Sequence, residues 1–201
     1  MAPRPALSAS AEPVVEASLR LFRRVGYHGT TVREIAREAG MNVAAMYHYF
    51  RSKEELLYHI MRQAMEDNLG MVEDAAASSQ VPAEEIAAMI SAVIEYHTAH
   101  PAEAFIGNSE LRSLEGDKLE HVISLRDREE NLYTEVIERG VAEGSFVAEE
   151  AKQSARAIIS MCSAVATWYQ PGGRLDPATL KQRYVSMGLR LLGYESTLPN
   201  P

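Results

Sequence analysis

Residues 26–56 read Gly26-Tyr27-His28-Gly29-Thr30-Thr31-Val32-Arg33-Glu34-Ile35-Ala36-Arg37-Glu38-Ala39-Gly40-Met41-Asn42-Val43-Ala44-Ala45-Met46-Tyr47-His48-Tyr49-Phe50-Arg51-Ser52-Lys53-Glu54-Glu55-Leu56. Thr31-Val32-Arg33-Glu34 is a capping box, in which the Thr31 hydroxyl and the Glu34 carboxylate each satisfy a backbone N–H left orphaned at a helix start. Val32, Ile35, Ala36 and Ala39 then recur at helical spacing up to Gly40, which takes a left-handed conformation at no steric cost. Asn42 suits the N-cap of a third short helix over about 43–49, and Ser52-Lys53-Glu54-Glu55 is a second capping box that opens a long fourth helix. Upstream, Val14 or Val15, Ser18, Leu21 or Phe22 and Val25 predict a first helix over 11–25 that ends at Gly26. Two short helices about a tight turn, braced by a third, make a helix-turn-helix, whose second helix enters a DNA major groove.

Outward from this head the period stays helical. Leu56 or Leu57, Ile60 or Met61, Ala64 or Met65 and Leu69 carry the fourth helix into the seventies, so the head joins the rest through a helix. Ile86, Ile90, Val93 and His97 mark a further helix, broken at His100-Pro101, and a stretch over about 101–114 follows. A long helix then runs to about Glu143, an apolar one spans 155–168, and a last one spans 177–193. The expectation is an all-α chain of about nine helices: a helix-turn-helix domain over 11–58 and a ligand-binding and dimerisation domain over 59–195. The ends 1–10 and 195–201 read as disordered.

A length of 201 residues with 46% hydrophobic and 24% charged residues fits one or two small domains with a real core, and no apolar run is long enough for a membrane helix. The single Cys162 forms no internal disulfide, and Met1-Ala2-Pro3-Arg4 lacks the apolar segment of a secretory signal, which points to the cytoplasm. The net charge of −8 argues against DNA only as an average. Residues 1–62 hold nine cations against six carboxylates, a surplus of three, so the remainder carries −11. A basic head on an acidic body approaches an anion by the head alone.

Gly26, Gly29-Thr30-Thr31-Val32-Arg33-Glu34-Ile35-Ala36, Ala39-Gly40, Tyr47-His48-Tyr49-Phe50 and Ser52-Lys53-Glu54-Glu55-Leu56 together resemble the DNA-binding head of the TetR family of repressors. The resemblance covers about residues 12–60. It implies a dimer on a palindromic operator and a body that binds a small molecule. Where the family has Ser-x-Gly after the turn, this chain has Asn42-Val43-Ala44; Asn42 caps as well as Ser but offers a base something different. Glu110-x-Arg112, Arg126-Asp127-Arg128 and Trp168-Tyr169-x-Pro171-Gly172-Gly173 resemble the body of the KstR2-like and fatty-acid-degradation regulators of that family, which respond to acyl-CoA thioesters. Thr167 stands where those relatives have a basic residue.

On the head, Thr30, Thr31 and Arg33 cluster at a helix start suited to phosphate, and Lys53 marks a second such corner. Asn42, Val43, Ala45, Tyr47 and His48 are the expected exposed face of the third helix. Small and apolar groups there pack on thymine methyls, Tyr47 and His48 resemble the family's phosphate-contacting pair, and guanine contact falls to Arg33 or Arg37.

A body helix that is apolar all round needs cover on both sides, which places Met161, Cys162, Val165 and Ala166 with Tyr184, Met187 and Leu191 at a subunit interface. Tyr96, Phe105, Ile106 and Trp168 are the candidate apolar lining of an effector cavity, with Arg112 and Arg126 as cations for CoA phosphates. His97-x-x-His100 with His121 lacks zinc-site spacing, no cofactor is implied, and neither a nucleophile elbow nor a phosphate-cradling loop is present. The rival to a regulator is a helical ligand carrier or interaction module that has lost DNA binding.

Overall fold

The protein is described by a computed structural model over residues 11–194. The ends read as disordered, and Arg4 among the cations counted above, lie outside the described residues. Within them the chain is all-α. The head comprises α1 (Glu12–Val25), α2 (Val32–Glu38) and α3 (Val43–Tyr49). The 24-residue α4 (Lys53–Ala76) runs unbroken into the body. There α5 (Pro82–Ala99), α6 (Pro101–Ser109), a 3₁₀ turn at Leu111–Ser113, α7 (Gly116–Ala142), α8 (Ala151–Ser163), α9 (Val165–Trp168) and α10 (Pro177–Leu191) pack together.

The caps form as the residues dictate, with one difference. The Thr31 hydroxyl accepts from Glu34 N at 3.3 Å while Thr31 N donates to Glu34 Oε2 at 2.8 Å, closing the first capping box. At the second, Ser52 Oγ accepts from Glu55 N at 3.0 Å, but the Glu55 carboxylate receives the N–H of Arg51 rather than of Ser52. The turn between α2 and α3 closes as a Schellman motif: Met41 N donates to Ala36 O and Gly40 N to Arg37 O. Gly40 sits there at φ +70°, a conformation that any side chain would strain.

Head and body share one core. Phe22, Ile35, Met46, Phe50, Leu56 and Met61 are buried in the same cluster as Ile106 of α6, Leu114, and Val122 of α7. Polar contacts run along the seam: Tyr58 Oη to His121 Nδ1 at 2.7 Å, Lys118 Nζ to Glu54 at 2.7 Å, and Ser113 Oγ to His28 Nε2 at 3.1 Å. A second core farther along the body gathers Ile86, Ile90, Ile94, Tyr133, Ile137, Ile158 and Leu180. Gly188 of α10 lies directly against the Ile90 side chain, so α10 approaches α5 at a point where even one methyl would intrude.

The apolar stretch 155–168 differs from its sequence reading. It is two helices that break at Ala164, and only one face is buried. Cys162, Val165 and Ala166 are buried in the chain's own core, which corrects their assignment to a subunit interface. The opposite face, with Ser160, Ala164 and Thr167, is exposed and carries small or polar side chains.

Two Arg–Glu pairs of different burial give a test. Arg139 of α7 binds the buried Glu85 of α5 through both terminal guanidinium nitrogens, at 3.0 and 2.6 Å. Arg156 binds Glu130 at 2.8 Å near the surface. Arg139→Met strands a buried carboxylate and should cost on the order of 2–3 kcal/mol, whereas Arg156→Met should cost under about 1 kcal/mol. Urea unfolding of the two variants checks the ordering.

Candidate nucleic-acid interface and body cavity

The outer face of the head is set by the orientation of α3. Met46 is its buried anchor; Asn42, Ala44, Tyr47 and His48 are exposed, and Val43 and Ala45 are half-buried. Val43 packs against the head core, so it offers less to a base than its spacing suggested, while Ala44, passed over in the sequence, faces outward. Asn42 Oδ1 accepts from Ala45 N at 2.8 Å. This cap commits the carbonyl that a bidentate adenine contact needs and leaves the amide N–H groups as donors for a phosphate.

Three of the expected phosphate ligands prove to have structural work. Thr30 is buried, and its hydroxyl donates to Gly26 O at 2.8 Å, which removes it from a phosphate-facing position. The Thr31 hydroxyl proton goes to Glu34 at 2.7 Å, inside the capping box. Lys53 reaches back to donate to Tyr27 O and Thr30 O, both at 2.8 Å, with its ammonium 4.1 Å from the Tyr27 ring centroid. It therefore pins the loop before α2 to the start of α4, and one of its three protons remains. Arg33 and Arg37 of α2 and Arg51 after α3 are exposed.

The body holds a cavity of about 390 Å³ between α4, α5, α6, α7 and α8–α9. Its exposed lining residues, Arg156, Ser160, Ala164 and Thr167, all belong to α8–α9, so it opens on that side. Of the residues proposed for an effector site, Tyr96 and Arg126 line it. The others do not. Ile106 is buried in the core shared with the head, Phe105 packs beside the same core, Arg112 is exposed on the 3₁₀ turn, and Trp168 faces outward. The structure adds Asn68, His97 and Glu129 as polar lining and Arg156 as a cation near the opening.

These polar groups stand at core register. Asn68 falls on the stripe Ile60, Ala64, Val72 of α4, and Glu129 on the stripe Val122, Tyr133, Val136 of α7. A polar residue at such a position is the signal that could have found them. Asn68 Nδ2 donates to Glu129 Oε1 at 3.1 Å, and Arg126, one turn earlier on α7, donates to Gly107 O at 2.6 Å. Burial pushes the Glu129 carboxyl up to about 7 against the pull of Asn68 and Arg126, and it pushes the His97 ring down so that it is held neutral. The three histidines weighed for a metal are apart in role: His97 binds Val93 O, His121 binds Tyr58, and His100 lies against the Tyr96 ring.

A helix-turn-helix head with an exposed third helix, continuous with a helical body that encloses a cavity, defines a DNA-binding transcription regulator. The chain belongs to the TetR family: residues 14–60 match the family described as bacterial regulatory proteins, tetR family, and residues 79–192 match the tetracyclin repressor-like C-terminal domain. It is 27% identical over 178 residues to the HTH-type transcriptional repressor KstR2 of Rhodococcus jostii (strain RHA1), covering 88% of this chain and 87% of that protein. The structure of the ketosteroid transcriptional regulator KstR2 of Mycobacterium tuberculosis superposes with a TM-score of 0.84 at 26% identity, over 92% of this chain and 95% of that one. AibR, solved in complex with isovaleryl coenzyme A and operator DNA, shares the fold with a TM-score of 0.81 at 24% identity, over 89% and 97% of the two chains. The protein is thus a DNA-binding regulator of a repressor family and not an enzyme. Among the described residues no helix is long and apolar enough to cross a membrane.

The buried carboxyl has a measurable consequence. Glu129 holds its proton to about pH 7 when folded, against 4.5 as its ordinary value. The folded state therefore binds more protons over that window, and Glu129 lowers stability as pH rises through it, by up to about 3 kcal/mol above pH 7. Glu129→Gln removes this titration. The variant should melt above the parent at about pH 8, with the gain falling to a small fraction near pH 5 and vanishing only below the ordinary carboxyl value; an equal gain at pH 8 and pH 5 would contradict it.

Proposed function

We propose that the protein is a dimeric repressor whose two heads bind a palindromic operator and are released when an acyl-CoA thioester fills the body cavity. The observation that carries this is the position of the cavity. Ala64 of α4, Gly107 of α6 and Arg126 of α7 all line it, and Ile106, next to Gly107, belongs to the core shared with the head. A ligand seated there presses on the helices that hold the head in place. The division proposed is a DNA-binding domain over 11–58 and a ligand-binding and dimerisation domain over 59–195, with α4 crossing between them.

DNA binding in this scheme rests on α3 in the major groove, with Tyr47 and His48 and the remaining Lys53 proton on phosphates and Arg33 or Arg37 reaching a base edge. In a symmetric dimer the two recognition helices stand about 34–36 Å apart, one helical turn of DNA. Release requires the thioester to favour a different head spacing, and its effect is bounded by its differential affinity for the two arrangements. The acyl group would occupy the lining near Tyr96, while Arg156 replaces Arg112 as the cation near the opening for a CoA phosphate. Isovaleryl coenzyme A in AibR supports this ligand class.

The dimer surface we propose is the outer face of α9 and α10. Trp168, Met187 and Leu191 are 45%, 44% and 45% exposed there, large apolar groups on helices that contribute nothing to the head core. Met161 and Tyr184 are half-buried against the second body core. Met187→Glu desolvates a charge without a partner if this face is covered, and it should shift sedimentation from dimer to monomer with the helical circular dichroism unchanged. A dimer that persists in that variant places the interface elsewhere.

Two further measurements test the scheme. In gel shifts with DNA from upstream of the protein's own gene, Tyr47→Ala should weaken operator and unrelated DNA alike, by about tenfold, with the steep salt dependence retained. Lys53→Met should weaken binding and also lower the melting temperature, because it unpins the loop before α2. Unchanged affinity in Tyr47→Ala removes its phosphate role, and absence of any DNA binding favours the carrier reading. Calorimetry with a panel of acyl-CoA thioesters and their free acids tests the effector: thioesters should bind and dissociate the operator complex, and equal binding by the acids rules out a CoA role.

A further inference from the structure

The third helix of the head is marked by what it lacks. Its seven residues, Val43-Ala44-Ala45-Met46-Tyr47-His48-Tyr49, include no Arg, Lys, Asn, Gln, Asp or Glu. The side chains that read guanine or adenine through paired hydrogen bonds are therefore absent from α3 itself. The one amide beside it, Asn42, commits its Oδ1 to the cap with Ala45 N at 2.8 Å. Met46 is buried, Val43 and Tyr49 pack against the head core, and Ala45 is half-buried. Ala44, Tyr47 and His48 are the residues of α3 that remain exposed. Tyr47 and His48 follow Ala44 by three and four positions, so all three share one face, on which a single methyl stands one turn before two long side chains.

Of the four bases only thymine presents an apolar group in the major groove, its C5-methyl. From this arrangement we infer that Ala44 is a specificity-determining residue whose methyl packs on one thymine C5-methyl per bound head, so that α3 selects a T·A pair by apolar contact. A guanine at that place offers two acceptors and a cytosine an amino donor, and Ala44 leaves either unmet where the contact excludes water. Tyr47 and His48, longer and polar at their tips, suit the phosphates that flank the contact. The TetR pattern given above has glycine at position 44, so the methyl belongs to this chain and not to the family head. This deepens the DNA-binding reading above and rests on α3 lying in the major groove; it requires neither the acyl-CoA effector nor the body cavity.

The test begins by selecting the binding sequence of the full-length protein from random duplex DNA. Fluorescence anisotropy then measures affinity for the selected site with each thymine replaced singly by deoxyuridine, which removes the 5-methyl and keeps every hydrogen-bonding group. At least one thymine per head should lose about fourfold in affinity, the weight of one buried methyl. Ala44→Gly, which restores the family residue and so should keep the fold, should bind the thymine and deoxyuridine sites equally at that position. Tyr47→Ala should weaken binding to both and keep their ratio, which separates the methyl contact from the phosphate contact. Full affinity for deoxyuridine at every thymine, a ratio unchanged in Ala44→Gly, or a ratio lost in Tyr47→Ala each overturns the role of Ala44 and leaves DNA binding by α3 standing. Enrichment of no sequence at all overturns it together with the placement of α3 in the groove.

Discussion

The packing of Ile106, Leu114 and Val122 into the head's own core is the constraint on which the rest of the structure depends. Three short helices have too little apolar surface to hold one geometry firmly, and α2 and α3 are only seven residues each. Body residues complete that core, so the angle at which α3 is presented is set by α4, α6 and α7 together. The polar contacts along the seam, from Tyr58 to His121 and from Glu54 to Lys118, fix the register of surfaces whose energy comes from the apolar contact.

That constraint explains why the cavity lies where it does. Ala64 and Gly107 are small where α4 and α6 cross; a Cβ at Gly107 would lie 3.9 Å from the Ala64 Cβ. Small residues leave room beside the crossing, and Asn68, Arg126 and Glu129 fill part of it with polar groups. The buried carboxyl and its guanidinium neighbour are costly in a core and contribute little to stability there. They stand on the wall of the cavity, between the helices that also hold the head.

Much of the fold was legible because local signals and long-range packing agree. The Thr31–Glu34 box, the Asn42 cap and Gly40 lie within a few residues of the groups they satisfy, so sequence alone locates α2 and α3. The site was less legible wherever a side chain has two possible partners. Lys53 reads as a phosphate ligand until its two carbonyl acceptors, 23 and 26 residues earlier in the chain, are in view. Thr30 reads as exposed because adjacent threonines at a turn look alike. Cys162, Val165 and Ala166 read as outward because a helix of Ala, Ser and Ile looks apolar all round, although its packed face is narrow. Asn68 and Glu129 were visible as polar residues at core register, but only their partnership across two helices shows them to be one site.

Head and body meet in one core at the Ile106 seam, which makes them one cooperative unit. Hydrogen exchange of the full-length Ile106→Ala variant tests it most directly, because truncating this buried side chain should cost about 2–4 kcal/mol. Amides of α2 and α3, none of them adjacent to residue 106 in sequence, should lose protection as much as those of α6. Unchanged protection in α2 and α3, with loss confined to α6 and the body, would contradict it.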